Sequence, residues 1–247
     1  MPRHPPLPVL AQGDGWIVVA KPPRLLVHRN WRQPRADAAL QAVRDQVGKR
    51  VYPIHRLDNQ ASGCLLFATE RTLAGPLHAS LTAEDTVKTY VAFVRGYFKS
   101  DEPVVIDKPM KDDNERLKDA LSVVEFLGRS HEPRCSLLRV RPRTGRYHQV
   151  RRHVRDLTHP IIGDADHGDS RINRWWRENS MANRLGLHCI GLDMTLPSGE
   201  RIEVSSPLYT DQYQVFSSMP WWPEALVREP RLGLTPLPMI VREAAEE

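Results

Sequence analysis

A chain of 247 residues, 40% hydrophobic and 26% charged, can bury a substantial core, and this composition excludes an intrinsically disordered protein. No signal peptide and no run of about 20 apolar residues is present, so we expect a cytoplasmic protein without a membrane partner. The net charge of +5 comes from 28 Arg against 7 Lys. Guanidinium groups suit phosphates and bases, which favours a nucleic-acid partner, although a GC-rich genome would also produce this ratio.

The three cysteines indicate neither a disulfide bond nor a zinc site. Cys64, Cys135 and Cys189 are isolated, and no pair has the spacing of a zinc ligand set or a disulfide framework. We therefore expect three reduced, mostly buried thiols.

Hydrophobic periodicity predicts strands over residues 16–20, 63–68, 87–98, 136–141, 185–196 and 201–204. Helices are predicted around residues 40–47, 71–83 and 150–157. The first of them would be capped by Asp37 and would stop at Gly48. The proline-rich stretches 2–8 and 220–238 are predicted to be irregular arms. Strands outnumber helices in hairpin-like succession, which predicts an α+β fold with a mixed, mainly antiparallel sheet and flanking helices.

Several polar residues beside turns are candidates for chemistry, but each has a structural explanation. Asp58 precedes an apolar strand, where its carboxylate could simply order a turn. Tyr90 lies in an alternating strand and could be a core aromatic residue. Arg146 and Arg151 could be ordinary surface charges. The residue types alone leave these alternatives open.

The stretch from His159 to Asp169 contains two His and three Asp in eleven residues. A metal-dependent hydrolase using His159, Asp164 and His167 is therefore one hypothesis. No HExxH pair is present, however, and neighbouring aspartates also order loops. Neither a GxSxG elbow nor a GxGxxG fingerprint occurs, so a serine hydrolase and a dinucleotide enzyme are poorly supported.

Arginine is densest between residues 139 and 155, with seven Arg in 17 positions. A block of like charge is a solvated face or an interaction surface, and a polyanion is its natural ligand. This block predicts phosphate contacts that position a nucleic acid without reading its sequence.

Four segments, taken in order, resemble the RluA-type pseudouridine synthases over roughly residues 8–206. They are HRLD followed by SG (55–63), KTY (88–90), PRTGRYHQVR (142–151) and HPIIGD (159–164). The phrases at 167–169, 173–174 and 26–31 resemble a branch of that family that modifies the uridine at position 65 of certain tRNAs. Ala61 departs from the threonine usual in the first motif, which changes one hydroxyl but leaves Asp58 intact.

The resemblance implies a single catalytic domain over residues 1–217, folded around a central cleft and without an S4 domain, and a tail over 218–247. It implies that Asp58 is the reacting carboxylate, paired with Arg151, and that Tyr90 stacks on the uracil. Arg56 would fill the space that a flipped uridine leaves. The further RNA contacts that it implies are His55, Lys88, Arg146, His148 and Arg152. The reaction needs no cofactor and no metal, and no obligatory protein partner is evident. An rRNA substrate and a catalytically silent RNA-binding module are the alternatives.

Overall fold

The structure, a computed structural model, describes residues 5–29, 31, 33–112, 114–180 and 182–240. The start of the first proline-rich arm, Asn30 of the 26–31 segment and residues 241–247 of the tail lie outside the described residues. The strands are Val9–Gly13 (β1), Trp16–Lys21 (β2), Tyr52–Pro53 (β3), Ser62–Ala68 (β4), Val87–Arg95 (β5), Val104–Asp107 (β6), Met110–Lys111 (β7), Leu117–Lys118 (β8), Leu121–Ser130 (β9), Cys135–Pro142 (β10), Leu187–Thr195 (β11) and Arg201–Ser205 (β12). The helices are Ala39–Val47 (α1), Arg71–Thr82 (α2), Gln149–Asp156 (α3), Ser170–Ser180 (α4), Thr210–Ser217 (α5) and Trp222–Arg228 (α6), and a 3-10 helix spans Pro230–Gly233.

In the described residues, ten strands form one sheet, and β7 and β8 form a separate hairpin. The order is β1-β2-β4-β11-β5-β10-β9-β6, with β3 also on β4 and β12 also on β11. The pairing of β4 with β11 is parallel, whereas the other pairs described are antiparallel. The prediction of an α+β fold with a mixed, mainly antiparallel sheet is therefore confirmed.

The predicted helix α1 forms, but its predicted cap is wrong. Gly48 ends the helix in the left-handed conformation, with a φ of 73°, as expected of a C-terminal glycine. At the other end Ala38, not Asp37, holds the capping position, and no side chain caps the helix. The backbone of the preceding segment takes that role, because Ala39 donates to the carbonyl of Leu26 at 2.8 Å.

The C-terminal stretch 220–238 is not an irregular arm, so this prediction is wrong as well. It contains α6 and the 3-10 helix, and Trp221 is 2% exposed. The Trp221 ring packs between Phe93 and Phe216, with ring centroids 5.9 and 6.0 Å away. Proline at a helix start is compatible with helix formation, so the prolines there begin elements and do not exclude them.

The sheet carries hydrophobic clusters on both faces, and β5 separates two of them. Val91 and Phe93 face the cluster covered by α4, α5 and α6, whereas Ala92 and Val94 face the cluster covered by α3. A third cluster joins β1, β2 and β4 to α1 and α2. The loop that carries Asp58 enters the sheet at β4, beside the cluster under α3.

Gly63 explains how this loop joins the sheet. It lies opposite Cys189 in the parallel pairing of β4 with β11, with a φ of 113°. A Cβ atom at this position would lie 2.2 Å from the carbonyl oxygen of Cys189. Only glycine therefore allows the two strands to approach each other at this point, five residues after Asp58.

Candidate active site

Backbone and side-chain hydrogen bonds hold the loop that carries Asp58 against β4 and Lys21. Ala61 donates its N–H to the Asp58 carbonyl at 3.1 Å, which closes a turn. The fully buried Lys21 donates through Nζ to the carbonyl of Asn59 at 3.1 Å. His55 Nε2 accepts the N–H of Leu66 at 3.1 Å. Burial, and then the positive charge of Lys88, lower the pKa of His55 to about 4. A neutral His55 thus anchors the loop to β4.

Arg151 joins Asp58 to a second carboxylate deeper in the protein. Its Nη1 donates to Asp58 Oδ2 at 3.2 Å, while Nε and Nη2 donate to Asp164 at 2.8 and 2.6 Å. Asp166 accepts a further bond from Nη2 at 2.7 Å. The side chain of Arg151 is 7% exposed and that of Asp58 is 25% exposed, so Asp58 is the more accessible partner of the pair.

The ionised side chains of this cluster stabilise one another in their charged forms. Burial alone would lower the pKa of Arg151, but hydrogen bonds and charges from Asp164, Asp166 and Asp58 raise it above its ordinary value. Burial would raise the pKa of Asp164, yet hydrogen bonds from Arg151 and from the backbone of His167 hold it below its usual value. Arg151 therefore stays a cation and Asp164 stays an anion at neutral pH.

His148 connects Arg151 to His167. Its Nε2 lies 2.8 Å from Arg151 Nη1 and 3.9 Å from Asp58 Oδ1, and its Nδ1 lies 3.0 Å from His167 Nε2. Arginine has no acceptor, so in neutral His148 Nε2 must accept and Nδ1 must carry the hydrogen that it donates to His167. Burial, above all, lowers the pKa of both histidines. The direction of this hydrogen-bond chain is thereby fixed.

The backbone at His148 is itself unusual. This residue caps α3 in the left-handed region, with φ 53° and ψ 28°, and its ring stacks on Tyr147 at 3.7 Å. A non-glycine residue here carries strain of about 1–3 kcal/mol, and such strain clusters at functional sites.

Tyr90 lies on β5, opposite Cys189 of β11. Burial, then the neighbouring Cys189 thiol and the negative charge of Asp58, raise the pKa of Tyr90 well above its ordinary value. The phenol is therefore neutral at physiological pH and keeps its proton. The half-buried ring packs against the hydrophobic cluster that includes Ala61 and lies close enough to Asp58 for that charge to act on it.

Asp58 opens into a cavity of about 670 Å³. This volume lies within the range of small-ligand sites, about 300–1,000 Å³. Charged and polar side chains dominate its lining, which includes Arg24, Arg56, Asp58, Tyr147, His148, Arg151, Arg177 and Arg184. The site thus combines one accessible carboxylate, several guanidinium groups and room for a nucleotide.

The family model for RNA pseudouridylate synthase matches residues 15–156, more than half of the chain and the part that carries Asp58, Tyr90 and Arg151. The chain belongs to the RNA pseudouridylate synthase family. It is similar to the tRNA pseudouridine synthase C of Vibrio cholerae serotype O1, at 34% identity over 242 residues, covering 90% of this chain and 98% of the relative. The protein of that name from Haemophilus ducreyi is 36% identical over 236 residues, covering 87% and 96%.

Solved structures show the same fold. Human RNA Pseudouridylate Synthase Domain Containing 4 matches with a TM-score of 0.69 at 20% identity, covering 85% of this chain and 92% of that one. Human RNA Pseudouridylate Synthase Domain Containing 1 matches with a TM-score of 0.66 at 23% identity, covering 81% and 83%. These likenesses extend the synthase fold well beyond the segment that the family model matches.

The other predicted RNA contacts of this synthase lie at different depths. Arg56 is exposed, lines the cavity, and forms no ion pair with any residue that the structure describes. Lys88 is half-buried, and burial lowers its pKa. Arg146 is exposed and donates to the carbonyl of Asp119 at 2.8 Å. Arg152 is half-buried, with Nη1 3.5 Å from the carbonyl of Tyr147. Lys88, Arg146 and Arg152 are not among the residues that line the cavity.

The arginine block 139–155 is not one RNA-facing surface. Arg139 and Arg141 both pair with Glu125, and Arg139 also pairs with the buried Glu229. Arg151 is enclosed by carboxylates. Conversely, sequence reasoning missed Arg24, Arg177 and Arg184 as lining residues of the synthase cavity. Because they come from distant segments, no local spacing marks them; only the phrase at 167–174 draws attention to the start of α4.

The candidate metal ligands have other partners. His159 Nδ1 lies 2.8 Å from the carbonyl of Arg95, Asp164 binds Arg151, and His167 bonds to His148. Within the described part of the synthase, no group of three or more His, Cys, Asp or Glu side chains is arranged to hold a metal ion. The hydrolase hypothesis therefore loses its proposed ligand set. No helix in the described ranges has the length and apolar character needed to cross a membrane.

Proposed function

We propose that this synthase isomerises uridine to pseudouridine in tRNA and that Asp58 is the reacting carboxylate. The observation that carries the proposal is the Arg151–Asp58 ion pair at the wall of a nucleotide-sized cavity. The tRNA assignment is supported by relatives named tRNA pseudouridine synthase C that match over nearly their whole length. Position 65 of the tRNA is the target that the phrases at 167–169 and 173–174 predict.

The reaction breaks the bond between C1′ of the ribose and N1 of the uracil, rotates the base and rejoins it through C5, which loses its proton to solvent while N1 gains one. Nothing is oxidised or reduced, so the residues need only supply a nucleophile or base and hold the detached ring. Asp58 either attacks C1′ or removes the 2′ proton to give a glycal. Arg151 binds Oδ2, whereas Oδ1 has no hydrogen-bond partner among the described residues and is available to the ribose.

The proposed reaction also requires that the target uridine is flipped out of its stem. A uridine inside a stem is reached only after extrusion, which costs a few kcal/mol of unstacking. Arg56 lies two residues before Asp58 and is exposed at the cavity, which supports its proposed role of filling the space that the base leaves in the RNA helix. Tyr90 supplies an apolar face for the uracil, and because it remains a neutral phenol it can donate a hydrogen bond to the base.

The test is tritium release from tRNA labelled at C5 of uracil. We expect release by the wild type and none by Asp58→Asn, because the amide is not a nucleophile or a base. Asp107→Asn, on the exposed β6, is the matched control and should behave as the wild type. Equal release by Asp58→Asn would remove Asp58 from the reaction. No release by the wild type from any RNA would favour the silent binding module.

The modified nucleotide then identifies the RNA. Pseudouridine mapping on tRNA and rRNA from a strain with and without the gene should show one position in tRNA, position 65, that depends on this chain. A dependent position in rRNA, with none in tRNA, would support the alternative substrate. Either result leaves the role of Asp58 to the release assay.

A further inference from the structure

Helix α4 lies at the rim of the catalytic cavity and is fastened to the catalytic cluster. Asn173 Oδ1 accepts the N–H of Gly163 at 2.8 Å, and Asn173 Nδ2 donates to the carbonyl of Asp164 at 2.8 Å. Asp164 is the carboxylate that holds Arg151. Asn173 therefore ties α4 directly to the backbone around Asp164, while Trp176 anchors the helix in the core.

Three arginines recur along α4 at intervals of three residues. Arg171, Arg174 and Arg177 are exposed, and none forms an ion pair with a residue that the structure describes. Arg177 lies one turn after Asn173, which places it on the side of the helix that faces the catalytic loop, and it lines the same cavity as Asp58. Trp176, three residues after Asn173, is buried and packs the adjoining side of the helix on the core. Glu178 is the acidic residue of this helix.

This arrangement differs from that of several other arginines that the structure describes. Arg139 and Arg141 have carboxylate partners, and so do the exposed Arg44, Arg201 and Arg228. Like charges on neighbouring turns repel one another, a repulsion that Glu178, four residues after Arg174, and Asp169, two residues before Arg171, offset only in part. A polyanion that binds along the helix reverses this effect.

We propose that α4 is a docking ridge for the sugar–phosphate backbone of the RNA strand next to the flipped uridine. Arg177 contacts the phosphate nearest to Asp58, and Arg174 and Arg171 contact phosphates farther along. Six residues of α-helix rise about 9 Å, which corresponds to between two and three phosphate steps of about 3.4 Å along the axis of one strand. The inference rests on the proposed function, because it takes RNA as the substrate.

The salt dependence of RNA binding tests the ridge. Binding of tRNA is measured over a range of salt concentrations in the Asp58→Asn background, where turnover is absent. Each lost phosphate contact makes the slope of log K against log salt less negative by about 0.9. We expect a change of about 1 for Arg177→Gln and of 2 to 3 for the triple change Arg171→Gln, Arg174→Gln and Arg177→Gln.

The control removes the same charge elsewhere. Arg44→Gln, Arg201→Gln and Arg228→Gln together delete three exposed, carboxylate-paired arginines outside the cavity, and the slope should change by less than about 1. The triple change of the ridge to lysine, which keeps the charge, should restore most of the slope. In the active enzyme the glutamine triple should raise KM with little change in kcat.

The possible outcomes distinguish a failure of RNA docking by α4 from a failure of the proposed synthase activity. Wild-type tritium release with equal slopes in the ridge triple and the control triple overturns the ridge and leaves the synthase activity in place. A ridge-dependent slope without any tritium release supports docking by α4 and overturns the proposed activity. If the triple glutamine variant of the ridge loses helical circular dichroism, the triple lysine variant and Arg177→Gln alone are measured instead. The salt slope of Arg177→Gln then decides whether α4 contacts the RNA.

Discussion

At the scale of single residues, Arg151 is the centre of the site. One guanidinium group binds Asp58, Asp164 and Asp166, and it also fixes the tautomer of His148. The two bonds to Asp164 are parallel, and this bidentate geometry locks the plane of the guanidinium. Nη1 is therefore aimed at the Asp58 carboxylate before substrate arrives, so the site is preorganised.

Arg151→Lys should separate charge from geometry. An ammonium keeps the charge but cannot form the parallel pair with Asp164 and also reach Asp58. Losing one charge-assisted hydrogen bond costs about 1.5–3 kcal/mol, so we expect the single-turnover rate on tRNA to fall about 10- to 100-fold. Arg228→Lys, in an exposed pair with Glu224, is the control and should keep the wild-type rate. An unchanged rate in Arg151→Lys would show that charge alone is sufficient.

At the scale of elements, periodicity predicted six of the ten described strands of the sheet but left β1, β3, the stretch from β6 to β9, α4 and α5 unassigned. The stretch from β6 to β9 was missed because its exposed positions carry apolar residues such as Val105 and Leu117, which hide the alternation. Helix α4 was missed because its buried face consists largely of Trp176 and Ile172 among polar residues. The motifs located Asp58 and suggested its pairing with Arg151. The roles of Asp164 and His167 depend on loop packing that no local pattern encodes.

The C-terminal helix gives a test at this scale. Trp221 is buried against Phe93 and Phe216, and its Nε1 donates to Cys135 Sγ at 3.3 Å. Truncation of a buried Trp costs about 3–5 kcal/mol, so Trp221→Ala should lower the free energy of unfolding in urea by that amount. Val227→Ala, on α6 but 82% exposed, is the control and should change it by less than about 0.5 kcal/mol. Similar losses in both variants would contradict the packing of this segment on the core.

At the scale of the whole molecule, a buried polar chain crosses the sheet behind the active site. Arg184 Nη1 donates to Ser62 Oγ at 3.2 Å, Ser62 donates to His188 Nδ1 at 2.8 Å, and His188 Nε2 donates to the carbonyl of Ser206 at 3.0 Å. Arginine only donates and a carbonyl only accepts, so every direction in the chain is fixed. This arrangement requires a neutral His188, and burial, above all, lowers its pKa to about 4.

The hydrogen-bond chain through His188 predicts that the free energy of unfolding depends on pH. The unfolded protein binds a proton at His188 near its ordinary pKa of 6.5, whereas the folded protein does so only near 4. Between these values the unfolded state holds more protons, so the stability that is present above pH 6.5 is lost as the pH falls towards 4. The loss is on the order of 3 kcal/mol from His188 alone. The free energy of unfolding in urea should therefore fall clearly between pH 7.5 and pH 4.5.

His188→Gln should reduce this dependence. The amide can accept from Ser62 and donate towards Ser206 but does not titrate, so the variant should be less stable at pH 7.5 and show a flatter pH profile. His78→Gln, on the exposed side of α2, replaces a histidine outside the buried chain and should retain the wild-type profile. If His188→Gln loses stability with pH as steeply as the wild type, the proton is taken up elsewhere. His55, whose pKa burial also lowers to about 4, is then the next histidine to replace.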